Sequence, residues 1–433
     1  MLALYGFLVI VILLYLVLTK KTSIHFSLVV VPIVFAVVAG FSFSELGEFM
    51  GDGLSGIAQT GIMLTFATLF FGIMFDTGMF DPLIKGVIRF SQGDPVKIAI
   101  GTAIIAMASH LDGSGSSTFL ITVAAMLPVY RALQMSPLTL AVIAALSAGT
   151  MNMVPWGGPT IRAATALDIS IVDLYTPMIP VQIVGLICVL AASFWLGRQE
   201  RKKVGVVTEI SATMLAPTKD TTTEESIKRP KMIIPNIILT ILVIVALVME
   251  LFPLAIPFVI GVPLALILNY RDVKMQQERI EAHSKATIYT ASIIFSAGIF
   301  TGILSGSGMI EAMASALASS VPSSGGQSLP YILAFLGMPL SLVFDPDSFY
   351  FGVLPVLSAT AGEFGVDAVA MGRAAIIGQM TVGFPVSPLT GATFLLIGLA
   401  GVELGDLQKK AIPLAFGIST VMAIVAIILG LLS

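Results

Sequence analysis

Four stretches of this chain carry residues that could do chemistry on an anion. Two are short polar tips between apolar runs: His110-Leu111-Asp112-Gly113-Ser114-Gly115-Ser116-Ser117, followed by Thr118, and Phe344-Asp345-Pro346-Asp347-Ser348. The other two interrupt apolar helical sequence with proline and glycine. They are Asn152-Met153-Val154-Pro155-Trp156-Gly157-Gly158-Pro159-Thr160-Ile161-Arg162 and, 230 positions further on when Pro155 is matched to Pro385, Gly383 to Thr393. A helix broken in this way loses backbone hydrogen bonds that lipid cannot replace. Its half-helices turn unpaired N–H groups and the positive ends of their dipoles into the break, which suits carboxylate or phosphate oxygens. Hydroxyls of Ser114, Ser116, Ser117, Thr118, Thr160, Ser387, Thr390 and Thr393 add donors, with Asn152 at the head of the first break. Glycines at Gly113, Gly115, Gly157, Gly158 and Gly391 let backbone amides approach a ligand. Ordinary small-residue helix packing is the rival explanation for any one of them. Four such clusters at matching places favour a binding site.

Charged residues sharpen that reading. Arg162 directly follows the first break and Arg373 lies inside the helix leading to the second; a guanidinium at such depth needs a partner or a cavity. Arg162 is expected either to meet substrate carboxylates or to make a structural ion pair. Arg373 could contact substrate, snorkel, or pair with Asp345 or Asp347. For Asp112, Asp345 and Asp347 three roles compete: proton carrier, oxygen ligand of a cation, and helix N-cap, the last being the plain reading for Asp347 before the helical run at Phe349. A hard divalent cation such as Mg2+ or Ca2+ would take carboxylate and carbonyl oxygens here from protein and substrate alike. His110 could relay a proton or simply be hydrogen-bonded.

The elements that must position these residues are membrane helices. Of 433 residues 57% are hydrophobic and 11% charged, with a mean hydropathy of +1.01, so the chain reads as an all-α polytopic membrane protein. A net charge of −3 argues against a nucleic-acid partner, and one cysteine, Cys188, excludes an internal disulfide. Residues 2–18 lack a basic lead and a cleavage site, and read as the first span rather than a signal peptide. Runs at 2–18, 24–41, 57–76, 137–167, 176–197, 233–252, 255–270, 287–305, 366–401 and 412–432 predict ten crossings, of which 137–167 and 366–401 are broken. The runs 98–108 with 118–130, and 329–343 with 349–357, are too short to cross and predict two re-entrant hairpins. The positive-inside rule places both termini outside, in the cell membrane, with the hairpins entering from opposite faces. Gly72 to Asp81 aligns with Gly302 to Glu311 at the same 230-residue offset. With an odd number of crossings per half, the reading is two inverted repeats, 1–197 and 233–433, joined by a cytoplasmic linker at 198–232.

At Leu111-Asp112-Gly113-Ser114-Gly115-Ser116, Pro155-Trp156-Gly157-Gly158-Pro159-Thr160, Asp347-Ser348-Phe349-Tyr350-Phe351-Gly352, Ser387-Pro388-Leu389-Thr390 and Gly398 to Asp406, nearly end to end, the chain resembles the citrate–metal:proton symporter family of the ion transporter superfamily. The resemblance implies import of citrate as a complex with a divalent cation, coupled to protons, by a homodimer with scaffold and moving transport domains. It implies no permanently bound cofactor, the metal being cargo. It also places Ser348 with the other tip and break residues where relatives hold substrate. One departure stands out: the sodium-coupled branch has Ser-Asn-Thr tips, whereas these tips are rich in aspartate. Other readings are a different carboxylate or oxyanion as cargo, and an intramembrane hydrolase. The hydrolase lacks its Gly-x-Gly-Asp signature, the nearest match being Glu403-Leu404-Gly405-Asp406. A passive channel is disfavoured by hairpins entering from both faces.

Overall fold

The computed structural model describes residues 1–19, 21–206, 226–249, 251–253, 255–319 and 323–433. Most of the predicted linker, 207–225, lies outside them. Among the described residues the regular structure is helical throughout, and six segments are individually long and apolar enough to cross a membrane. Ten crossings were expected, and the difference is one of length. Leu2–Leu18, Ile24–Val38, Pro137–Met151 and Ile256–Asn269 have 17, 15, 15 and 14 residues, the third cut short by its break, and at 1.5 Å per residue they fall short of a ~30 Å hydrocarbon core unless the bilayer adapts.

Two helices of 34 residues, Phe43–Asp76 and Val273–Gly306, lie against each other over much of their length. Small residues make that approach possible. A Cβ placed on Gly53 would stand 2.1 Å from the Gly298 carbonyl oxygen, and one on Gly302 would stand 2.3 Å from that of Phe49, so the backbones touch where side chains would hold them apart. Polar contacts lock one end of the pair: Asp76 accepts from His283 Nε2 at 2.9 Å and from Arg279 at 3.3 Å. The segment before Ile233 docks at this same end. The Arg229 amide donates to the Thr77 carbonyl at 2.8 Å and Lys228 pairs with Asp81 at 2.7 Å.

The main helices recur in a similar order, with short additions at Ile171–Tyr175, Ser323–Gln327 and Ser348–Val353. Each 34-residue helix is followed by a short one, Asp81–Ser91 or Met309–Ala318, and then by a helix ending in a polar tip, Pro95–Ser109 or Leu329–Leu340. Gly115–Ala132 or Leu354–Gly362 follows, and next comes an interrupted helix: Pro137–Met151 with Gly158–Leu167, or Ala368–Ile377 with Gly391–Ala400. A long helix closes each series, Ile179–Val204 or Leu404–Ile428. Ile179–Val204 carries its helix through the basic Arg198 to Val204, past the end of the apolar run. The elements bearing tips and breaks pack on one another: Leu329–Leu340 on Ala368–Ile377, Gly115–Ala132 on Gly391–Ala400, and Pro95–Ser109 on Pro137–Met151.

Candidate functional site

At the first tip, helix Pro95–Ser109 tightens into a single turn, His110–Asp112, and Gly113 takes φ 70°, a left-handed conformation that costs glycine nothing. Ser114 caps the returning helix. The Asp112 carboxylate accepts the Ser114 amide at 2.8 Å and the Ser117 hydroxyl, so it holds the turn closed. His110 is fully buried. Its Nδ1 meets the Thr118 hydroxyl at 2.8 Å and its Nε2 meets the Asn152 side-chain oxygen at 3.2 Å. Asn152 in turn donates to the Met380 carbonyl at 2.8 Å. The first tip, the first break and the second break are thereby joined through three side chains.

The first break falls where proline and glycine predict it, between Met151 and Gly158. Trp156 donates to the Leu111 carbonyl at 2.6 Å, stacks on Phe71 with ring centres 5.4 Å apart, and meets Phe258 edge-on. Thr160 bonds the Met153 carbonyl at 2.8 Å, satisfying backbone that the break exposed. Gly157 is required by the fold itself: a Cβ there would stand 2.1 Å from the Asn152 carbonyl oxygen. A bulky residue at Gly157 would therefore disturb the break itself and not only a ligand's approach, because the clash is with the break's own backbone. Gly158 differs, its nearest neighbour being the mobile end of Arg162. A Cβ on Gly391 would meet nothing within 4 Å.

The second break begins earlier than expected. Helical sequence stops at Ile377, six residues before Gly383, and the chain leaves helical geometry at Gln379 and at Met380, whose φ is 54°. No proline marks the place. Gly378 packs so tightly on the Leu329–Leu340 helix that a Cβ would stand 2.4 Å from the Met338 nitrogen. Ser341, missed in the sequence, accepts the Met380 amide at 2.9 Å and donates to the Gln379 side chain at 2.6 Å, while Tyr350 donates to the Gln379 carbonyl at 2.7 Å. Ser341 and Gln379 are fully buried, and polar residues inside apolar runs were the available signal. Downstream, Thr390 and Thr393 both bond the Phe384 carbonyl, and Ser387 accepts the Leu389 amide at 3.2 Å.

At the second tip the capping role moves by two residues. Asp345, not Asp347, accepts the amides of Asp347 and Ser348 at 3.1 Å each and the Ser348 hydroxyl at 2.5 Å. The chain then makes a π-helical turn over Ser348–Val353, a geometry frequent at functional sites. Asp347 is left to accept Arg162 Nε at 2.7 Å, with 13% and 15% of the two side chains exposed. Arg373 is not part of this cluster. Its guanidinium donates to the carbonyls of Asp173 at 2.7 Å and Leu431 at 3.4 Å, and pairs with neither Asp345 nor Asp347.

Both tips thus meet the breaks. Gly115 lies so close to Phe384 that a Cβ would stand 2.8 Å from its ring, Gly113 faces the Trp156 carbonyl, and Asp347 reaches Arg162. Ser116 is exposed, as is Gly391.

All-helical chains with paired tips and interrupted helices at their centre form a class of multi-pass membrane transporters. The fold matches the crystal structure of the YdaH transporter of Alcanivorax borkumensis, described as having an unusual topology, with a TM-score of 0.60 over 88% of each chain at 14% identity. At that identity the likeness is one of fold. The sequence model of the citrate transporter family matches residues 2–378, and the chain belongs to this family. It is 45% identical over 433 residues, the whole of both chains, to a citrate transporter of Bacillus subtilis. It is 43% identical over all of its own length and 99% of the relative's to a Mg(2+)/citrate complex secondary transporter of the same organism.

Proposed function

We propose that this protein is a secondary active transporter that imports citrate as a complex with a divalent cation, coupled to protons, by alternating access. The observation that carries the reading is the convergence of two aspartate-bearing tips and Arg162 on two helix breaks, in a chain 43% identical throughout to a Mg(2+)/citrate complex transporter. Arg162 and the N-terminal amides of Gly158–Leu167 and Gly391–Ala400 would take substrate carboxylates, with Ser114, Ser116, Ser117 and Ser387 supplying further donors. Asp112, Asp345 and Asp347 are the candidates for cation oxygens or carried protons. Among the described residues no three His, Cys, Asp or Glu side chains stand together to hold an ion. A hard cation takes about six to eight oxygens, and citrate would supply the missing ones. That is why the complex, rather than the bare ion, suits these residues.

The recurring element order supports two inverted repeats, with the 34-residue helix pair as scaffold and the tip and break helices as the part that moves. The N- and C-termini are placed outside by the positive-inside rule, and a homodimer is part of the same proposal. The test is uptake of labelled citrate into proteoliposomes, with and without external Mg2+ or Ca2+ and with and without an inward proton gradient. Dependence on both supports the reading. Uptake indifferent to metal removes the complex, and absence of citrate uptake in every condition turns the search to other carboxylates and oxyanions.

A further inference from the structure

A cavity of about 620 Å³ lies away from the tips, between the scaffold pair and the helices that carry the site. Its walls include Asp52 and Gly56 of Phe43–Asp76, Thr301 of Val273–Gly306, Ser358 of Leu354–Gly362, and Thr165 with Asp168 at the end of Gly158–Leu167. Thr165 and Ala166 stand three and four residues beyond Arg162, hence on the same helix face and about one turn away. The cavity therefore borders, one turn away, the helix face that bears the Arg162–Asp347 pair. Among the described residues, the charged ones lining it are Asp52 and Asp168. Both are exposed, and the Asp168 carboxylate lies over the face of Gly56, where a Cβ would come within 3.3 Å of it. The neighbouring turns of Phe43–Asp76 add Glu45 and Glu48, while the nearest basic residues, Arg162 and Arg373, stand outside the lining and are engaged with Asp347 and with the Asp173 carbonyl.

From this geometry we infer that the cavity is the outer entrance to the transport site and that Asp52 and Asp168 act there as a charge filter, admitting metal-bound citrate and turning back free citrate. The inference rests on the substrate and orientation proposed above. A divalent cation cancels most of the negative charge of a citrate trianion, so two fixed carboxylates repel the free anion far more than its complex. Arg162 alone cannot make that distinction, since it attracts both. The filter acts on the approach to the site, and salt screens it because both carboxylates are exposed.

The test compares labelled citrate uptake, with Mg2+ and with a chelator in its place, for the unaltered protein, Asp52→Asn/Asp168→Asn, and the charge-keeping Asp52→Glu/Asp168→Glu. Asp168 has φ 51°, a conformation asparagine also tolerates, so the neutral variant keeps the local backbone. The neutral variant should narrow the preference for the metal complex by about tenfold at low ionic strength, through faster entry of free citrate, with little change at high salt. The glutamate variant should behave as the unaltered protein. An unchanged preference in the neutral variant, or one lost through slower uptake of the complex, overturns the filter. Metal-independent uptake by the unaltered protein would instead overturn the substrate reading on which the filter rests.

Discussion

The Arg162–Asp347 pair offers a sharp division between structure and transport. Arg162 Nε stands 2.7 Å from Asp347, with 13% and 15% of the side chains exposed. Removing one member of a fully buried pair costs about 3–5 kcal/mol, because the other charge is stranded. Partial exposure relieves some of this, so Arg162→Gln and Asp347→Asn should each destabilise by about 2 kcal/mol. The double variant strands neither charge and should return to within about 1 kcal/mol of the unaltered protein. Transport should respond differently. If Arg162 also holds a substrate carboxylate, its loss removes a charge-assisted contact, worth roughly a 10- to 100-fold fall in uptake, whether or not Asp347 is neutralised. Melting in detergent and citrate uptake in proteoliposomes, measured on the three variants, separate the two effects. A double variant that recovers both melting and uptake would refute a substrate role for Arg162. One that melts as low as the single variants would refute the electrostatic reasoning.

Three further outcomes are expected. Gly115→Val should abolish uptake because its side chain enters the Phe384 ring 2.8 Å from the Cβ position, and Phe384→Leu should restore part of it by yielding space. Met380→Gly relieves a φ of 54° but removes a side chain only 1% exposed, so the cavity outweighs the relieved strain and stability should fall by about 1–4 kcal/mol in thermal melting; Met380→Val, smaller and β-branched at the same φ, should lower it too. Asn152→Leu removes the bridge between His110 and the Met380 carbonyl and should cost about 1–3 kcal/mol through unsatisfied buried groups, read as a lower melting temperature.

Several features of this protein follow from its sequence alone. Proline and glycine at Pro155 to Pro159 stop a helix wherever they stand, since the lost amide and the ring clash are local, and the first break lies there. Long apolar runs make membrane helices for the same reason of composition. The polar tips were legible because His110 to Ser117 and Asp345 to Ser348 interrupt such runs. What the tertiary structure decided is how those residues are spent. Asp345 rather than Asp347 caps the second tip, and that frees Asp347 for Arg162, 185 positions away. Arg373 is drawn to the carbonyls of Asp173 and Leu431. The second break opens at Gly378 because a neighbouring helix presses on it, with Ser341 and Tyr350 meeting the freed backbone. Helix breaking by proline is written into nearby residues, but a hydrogen bond or ion pair across the fold depends on which distant groups the packing brings within about 3 Å, and no local pattern carries that information.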